Sequence, residues 1–462
     1  MAKSDNKNFS VIVLAAGQGT RMKSPLPKVL HPVAGRPMVG RVVEAAKQAG
    51  AKEIRVVVGY GEMLVRQVVE PMGAVCLKQE SQLGTADAVR SARAEEMEGT
   101  VVILNGDHPL ITAKDIKNMV SRFRKGSAML SVVTTELEDP GSYGRIVRHM
   151  DHVRAVVEAK DASADTLAIK EINTGIYVLD GEILKQFLPR IENNNVQGEY
   201  YFTDIISLAF DGGHVCAPIE SPAHVAEGVN SQRQLAVATK KAFLRKAEAL
   251  MDEGVIIVDP DHTYIEDNVF VGAGSVIYPG SYLRGTTRMD RFCVIESHCY
   301  LSDSELSEAV QVRAGSYLEQ AVVKAKAIVG PYARLRPDTE VGVDARVGNF
   351  VELKKVKFGD GAKASHLTYL GDAEIGANTN IGCGTITCNY AADHKKYKTV
   401  IGKDVFVGSD TQFVAPLSVG DGAVIGSGST ITKDVPAGAL AVARGRQVIK
   451  ENYQPKKSNN DE

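Results

Sequence analysis

Two glycines, two cations and a carboxylate near the front of the chain have the types and spacing to handle a polyphosphate. The apolar run Val11-Ile12-Val13-Leu14 leads into Ala15-Ala16-Gly17-Gln18-Gly19-Thr20-Arg21-Met22, and Pro27-Lys28 follows. A glycine loop after a strand brings backbone N–H groups up to phosphate oxygens with no Cβ in the way. No Gly-Lys-Ser/Thr closes this loop, so it is not a P-loop, and the third glycine of a dinucleotide fingerprint is missing. Arg21 and Lys28 supply two positive charges instead, which suits a polyphosphate and its pyrophosphate leaving group. Further along, Val101 to Leu104 ends in Asn105-Gly106-Asp107. A carboxylate at the carboxyl end of a buried strand faces the same crevice as the loop. There Asp107 is either a ligand of Mg²⁺, shared with phosphate oxygens, or the cap of the next helix.

A second set lies in the rear half. Arg336 and Lys354 each follow an aliphatic residue, Leu335 and Leu353, and stand eighteen apart. In the repeat described below that spacing stacks two like charges on neighbouring rungs. Either an anion such as a sugar phosphate bridges them, or both splay into solvent. Ser365-His366-Leu367-Thr368-Tyr369 falls where the register of the repeat slips, so spacing alone does not place it. A histidine, with its near-neutral pKa, suits a general base.

The elements that must carry these residues differ between the two halves. From Phe9 to about Asn230, short Val/Ile runs (Ile54 to Val58, Val101 to Leu104, Met129 to Thr134, Gly175 to Leu179) alternate with amphipathic stretches such as Arg41 to Ala49 and Leu64 to Glu70. This pattern predicts an α/β layer fold, Rossmann-like, with a mixed, mostly parallel sheet over residues 1–232. Gln234 to Asp252 contains no Gly or Pro and predicts one helix, so that 233–253 form a linker. After Gly254 aliphatic residues recur every six positions, as in Ile265, Val271, Ile277, Leu283, Met289, Ile295 and Leu301, and again from Val329 to Leu353 and from Ile401 to Ile431. Gly often follows, and a small residue sits four further on. Six is neither the helical nor the strand period. It predicts a parallel β-helix over 254–462, with three flat sides per eighteen-residue coil and residues eighteen apart stacked at about 4.8 Å.

Bulk properties narrow the class. A net charge of −2 gives no basic excess for nucleic acid or an anionic membrane, and no apolar stretch is long enough to span a bilayer. A cytoplasmic protein is expected. Six cysteines in 462 residues do not form a disulfide framework. Cys76 and Cys216 read as packing residues, Cys293 and Cys299 fall at small-residue slots, and Cys383 and Cys388 lack zinc-site spacing. The polar tail from Pro455 to Glu462 is expected to be disordered.

The Gly-x-Gly-Thr-Arg-Met loop with Pro-Lys at this offset resembles the signature of sugar-phosphate nucleotidyltransferases. Over essentially the whole chain, the order of motifs resembles the bifunctional family that joins an N-acetylglucosamine-1-phosphate uridylyltransferase to a glucosamine-1-phosphate N-acetyltransferase. That resemblance implies UTP and acetyl-CoA as co-substrates, Mg²⁺ as cofactor, supply of cell-wall precursors, a left-handed winding of the β-helix, and a homotrimer with acetyl-transfer sites between subunits. It implies catalytic roles for Arg21, Lys28 and His366. The front pocket would comprise Leu14, Ala15, Ala16, Gly17, Lys28, Asn105, Gly106 and Asp107. Gln79 and the segment Gln82-Leu83-Gly84-Thr85-Ala86 would meet uracil, and Gly144, Glu158 and Asn173 the N-acetylglucosamine. Asn230 would join Asp107 on the metal. At the rear, Arg336, Lys354, Tyr369, Asn380 and Lys396 would hold the amino-sugar phosphate, Lys396 reaching it from a neighbouring subunit. Cys383, Asn389, Tyr390, Ser409, Ser427 and Arg444 would hold the coenzyme. Cys383 and Ser427 stand where the family pattern has alanine, and the loop Ala391 to Lys396 is one residue longer than that pattern, which leaves Lys395 or Lys396 as the contact. Two rivals remain: a monofunctional nucleotidyltransferase, such as an ADP-glucose pyrophosphorylase, whose β-helix only assembles or regulates, and a non-enzymatic scaffold resembling translation-initiation exchange factors. The stacked cations and the His366 segment favour a working rear site, and the intact glycine loop disfavours the scaffold.

Overall fold

Val11 to Leu14 needs cover on both faces, and β1 (Phe9–Leu14) finds it at the middle of a nine-stranded sheet. β1 pairs in parallel with β2 (Glu53–Val58), which pairs in parallel with β3 (Val75–Lys78), and on its other side with β4 (Thr100–Asn105). Beyond β4 come β5 (Leu130–Glu136), the hairpin β6 (Arg145–His149) and β7 (His152–Val157), β8 (Glu171–Asp180) and β9 (Cys216–Glu220). The order is β9-β5-β8-β4-β1-β2-β3, with β8 antiparallel to β4 and β5. Side chains alternate between two cores: Val11, Val13, Val56, Val102 and Leu104 on one face, Ile12, Val57, Val101 and Ile103 on the other.

Helices α1 (Met38–Ala49), α2 (Glu62–Val69), α3 (Thr85–Ser91) and α4 (Ala113–Lys125) cover the sheet, the first two starting two or three residues before the expected stretches. Thr112 and Asp115 form a reciprocal capping box at the start of α4. Asp107 is therefore not the cap and is free for other work. The computed structural model describes residues 8–454, and residues 455–462, the expected disordered tail, lie outside that range. The chain divides into two units, one ending at Arg245 and one starting at Lys246, the division falling inside α5 (Gln232–Asp252).

The rear unit is a parallel β-helix. Strands of two to seven residues stack coil upon coil, one face forming an eleven-stranded sheet and the other two running together as seventeen strands. The six-residue aliphatics point inward and are buried, among them Ile265, Leu283, Leu301, Leu335, Leu353 and Ile401. Small polar residues in the slots between them turn their hydroxyls onto corner carbonyls, as Ser281 does to Glu296 and Thr379 to Gly402. Cys293 and Cys299 occupy such slots, and burial pushes each thiol up to about 11.

The slip has a simple cause: some coils are one residue short. Glu352 pairs with Tyr369 and Arg346 with Lys363, each seventeen apart rather than eighteen. A similar shortening accounts for Tyr300 pairing with Tyr317. Later, Glu374 pairs with Val400 across an inserted loop that springs from Asn389 and returns at Tyr397.

Candidate active sites

The front site is built at the carboxyl ends of β1 and β4. The Ala15 N–H donates to Val57 and the Tyr60 N–H to Ala16, tying the glycine loop to the end of β2, while the Gly106 N–H donates to Leu14. Gln82 bonds the Ala16 carbonyl from the other side at 2.8 Å. At Gly17 a Cβ would meet nothing within 4 Å, so the loop presents bare backbone to the cavity. Gly19 lies at φ +68, and a Cβ there would collide with the stem of Lys28. That glycine is what lets Lys28 approach.

Lys28 Nζ donates to Asp107 Oδ2 and, at 3.1 Å, to Asn230 Oδ1; Arg21 Nη2 donates to the same Asn230 oxygen at 3.0 Å. Asn230 arrives because the Val229 N–H bonds the Asp107 carbonyl at 2.9 Å. Burial pushes the Asp107 carboxyl up, but the Lys28 ammonium, with His108, outweighs it and holds the pKa below the usual carboxylate range. Burial lowers the pKa of His108, whose Nδ1 is 3.0 Å from the Val225 carbonyl. Two oxygen donors that already share one cation are the hard donor set Mg²⁺ prefers. Among the described residues no group of three His, Cys, Asp or Glu is gathered for a metal. An ion here would complete its shell with phosphate and water.

A cavity of about 300 Å³ opens from this point, lined by Leu14, Ala15, Ala16, Gly17, Lys28, Gln79, Gly84, Thr85, Asn105 and Asp107, with Glu199 at its edge. Gln79 donates to Gly84 and Asp87. The segment at Gly84 is held by Tyr200, whose N–H bonds Leu83 and whose carbonyl accepts from Ala86. The expected sugar pocket connects through Asn105, which donates to Gly175 at 3.1 Å. Gly144 accepts from the Asn173 N–H at 2.9 Å and packs beside Glu158. Burial, with Asp161 and Asp204 nearby, raises the Glu158 pKa. A larger cavity of about 720 Å³ lies between α4 and the segment after β9, and none of the candidate residues lines it.

In the rear unit His366 ends one short strand, opposite Asn349 on the previous coil. Its Nδ1 lies 2.8 Å from Asn349 Oδ1, which leaves Nε2 free. Leu335 and Leu353 are in register, so Arg336 and Lys354 do share a side, but Arg336 Nη1 is paired to Glu352 at 2.9 Å. Glu352, unnoticed in the sequence, thus partners Arg336, an arrangement beside the two weighed from the sequence, a bridging anion or cations splayed into solvent. Lys354 has a different neighbour. Hydrogen-bonding contact with Lys396 and its charge, with Arg336 close by, lower the Lys354 pKa. The loop thus brings Lys396 close to Lys354 of the same chain. Tyr369 continues the ladder from Glu352, whereas Asn380 lies on the His366 face, beside Lys363.

The loop is hairpin-like, with Tyr390 bridged to Lys396 and Tyr390 Oη 2.9 Å from His394. Asn389 is buried and donates to Asp372 at 2.5 Å. Cys383, Ser409, Ser427 and Arg444 fall on successive coils at one corner: Gly428 bonds back to Ser409, and Arg444 donates to the Ser427 carbonyl at 2.8 Å.

Three sequence families match. The one described as "MobA-like NTP transferase domain" covers residues 11–171, "Bacterial transferase hexapeptide (six repeats)" covers 398–433, and "Hexapeptide repeat of succinyl-transferase" covers 263–283. Among curated proteins, the "Bifunctional protein GlmU" of Bdellovibrio bacteriovorus is 61% identical over 454 residues, spanning 98% of this chain and 99% of its own. The proteins of that name from Trichlorobacter lovleyi and Geobacter sulfurreducens are each 45% identical, over 98% and 97% of this chain and 99% of their own. The chain belongs to the GlmU family. As a GlmU protein it is a bifunctional enzyme of UDP-N-acetylglucosamine synthesis, a nucleotidyltransferase and an acetyltransferase in one chain, and its rear half is the left-handed β-helix of hexapeptide repeats. The rival readings, monofunctional enzyme and scaffold, fall with that membership.

Asn349, Glu352 and Glu199 are among the side chains at these GlmU sites that the sequence did not reveal. The six cysteines are all free, and Cys383 and Cys388 are half-buried. No helix among the described residues is long and apolar enough to cross a membrane.

Proposed function

We propose that the unit built on residues 1–232 performs uridylyl transfer and the unit from 254 acetyl transfer, with 233–253 as linker, and that acetylation of glucosamine-1-phosphate comes first. At the front, the phosphate oxygen of N-acetylglucosamine-1-phosphate attacks the α-phosphorus of UTP in line, and pyrophosphate leaves. The nucleophile is already an anion, so no side chain has to take a proton. Gly17 and its neighbours cradle the phosphates, Arg21 and Lys28 neutralise the leaving pyrophosphate, and Gln79, Gly84 and Thr85 seat the base. Gly144, Glu158 and Asn173 seat the sugar. Asp107 and Asn230 would hold Mg²⁺, which supplies further neutralisation of phosphate charge when bound. What carries this reading is the convergence of Lys28, Asp107 and Asn230 at the mouth of the cavity.

At the rear, His366 Nε2 takes a proton from the amine as its nitrogen attacks the thioester carbonyl of acetyl-CoA, and the coenzyme leaves as thiolate. Asn349 fixes the ring so that Nε2 is the basic nitrogen. Arg336, Lys354, Lys396 and Tyr369 receive the sugar phosphate, with Asn380 completing the pocket. The corner column of Cys383, Ser409, Ser427 and Arg444, with Asn389 and Tyr390, holds the coenzyme. The protein works as a cytoplasmic homotrimer; free cysteines and the hexapeptide repeats support that placement. Crystals soaked with UTP and acetyl-CoA test the reading. The triphosphate is expected at Gly17 and Lys28 and the thioester beside His366; either ligand bound elsewhere overturns the corresponding half.

A further inference from the structure

Lys28 lies on the two oxygens assigned above to the divalent ion. Its ammonium bonds Asp107 Oδ2 and Asn230 Oδ1, so a metal ion arriving alone meets donors already neutralised. Lys28 and Asp107 are only 16% and 15% exposed, which leaves the pair weakly screened. The placement is specified by the chain: Gly19 opens the room for the Lys28 stem, and Lys28 itself begins the short turn Lys28–Leu30. The same ammonium faces the cavity that takes the triphosphate. Several phosphate oxygens are a stronger partner for it than one carboxylate.

We infer that Lys28 is the resident counter-cation of the Asp107–Asn230 pair, and that it sets the order of binding. Without nucleotide it competes with the metal; a triphosphate draws it across, and the divalent ion takes the vacated oxygens. This rests on the reading of Asp107 and Asn230 as metal donors. The ammonium trades a carboxylate for phosphate oxygens, and the dication takes its place beside Asp107, so the carboxylate is never left without a cation. Metal and nucleotide therefore bind with positive coupling.

The test is a titration of Mn²⁺ onto the nucleotide-free full chain, with free Mn²⁺ read by electron paramagnetic resonance. Lys28→Met is expected to bind at least about tenfold tighter than the unsubstituted protein, a typical coupling magnitude. Arg21→Met removes an equal charge but leaves Asp107 paired to Lys28, so its gain is expected below about threefold on the same scale. Equal gains in the two variants, or none in Lys28→Met, overturn the inference. Lys28→Ala, with melting curves for all variants, repeats the measurement should the Met variant fold poorly. Adding Asp107→Asn to Lys28→Met separates the two levels. If the tight binding survives that change, the metal assignment itself is wrong; if it disappears, the donors stand and only the exchange is at issue.

Discussion

Lys354 gives up its proton more readily than an ordinary lysine because Lys396 touches it and Arg336 stands nearby. In the free protein its charged form is disfavoured, a cost that is relieved as pH rises through the lowered pKa. An anion bound among the three cations reverses the shift. Glucosamine-1-phosphate binding is therefore expected to take up protons at pH values between the lowered and the ordinary lysine pKa, measured by calorimetry in buffers of different ionisation enthalpy. Lys396→Ala should abolish the uptake; undiminished uptake in that variant would contradict the cluster. His366 offers a second check. Asn349→Asp sets a carboxylate beside the imidazole, favours its charged form and should move the acid limb of the acetyl-transfer kcat/KM profile upward by about one pH unit. An unmoved limb would mean the Asn349 contact does not orient the base. Lys28 and Asp107 were legible from sequence because a glycine loop and a strand end announce themselves locally. Asn349 was not, since it meets His366 across coils whose register the six-residue rule misjudges by one; nor was Glu352, which stands opposite Arg334 in the regular register and reaches Arg336 only diagonally.

Among elements, the β-helix was the clearest in the sequence and the sheet directions the least. A Val/Ile run reports that both faces are covered but not which way the strand points, so nothing in Gly175 to Leu179 distinguished antiparallel β8 from its parallel neighbours. The hexapeptide period survived because the inward positions are almost all buried apolar residues, mostly aliphatic. Leu353 is one such, stacked between Leu335 and Leu370. Leu353→Ala should destabilise the rear unit by about 2–5 kcal/mol, read from denaturant unfolding. A loss under about 0.5 kcal/mol, the scale of a surface change, would show that the coil there is not closely packed.

For the whole molecule, the two sets of chemistry sit on two separately built units, one proposed transfer on each. Assembly is a property of the entire chain: light scattering is expected to give three times the 49.6 kDa chain mass, and a monomer at working concentration would exclude the proposed trimer. The division of labour is tested most directly by one paired assay on the full chain. Pyrophosphate released from UTP with N-acetylglucosamine-1-phosphate, and thiol released from acetyl-CoA with glucosamine-1-phosphate, are measured for Asp107→Asn and His366→Ala. Asp107→Asn should lose the first by about 100-fold or more and keep the second, and His366→Ala should do the reverse, with a loss of about 100-fold or more in thiol release. Either variant losing both activities, or neither, would contradict the assignment.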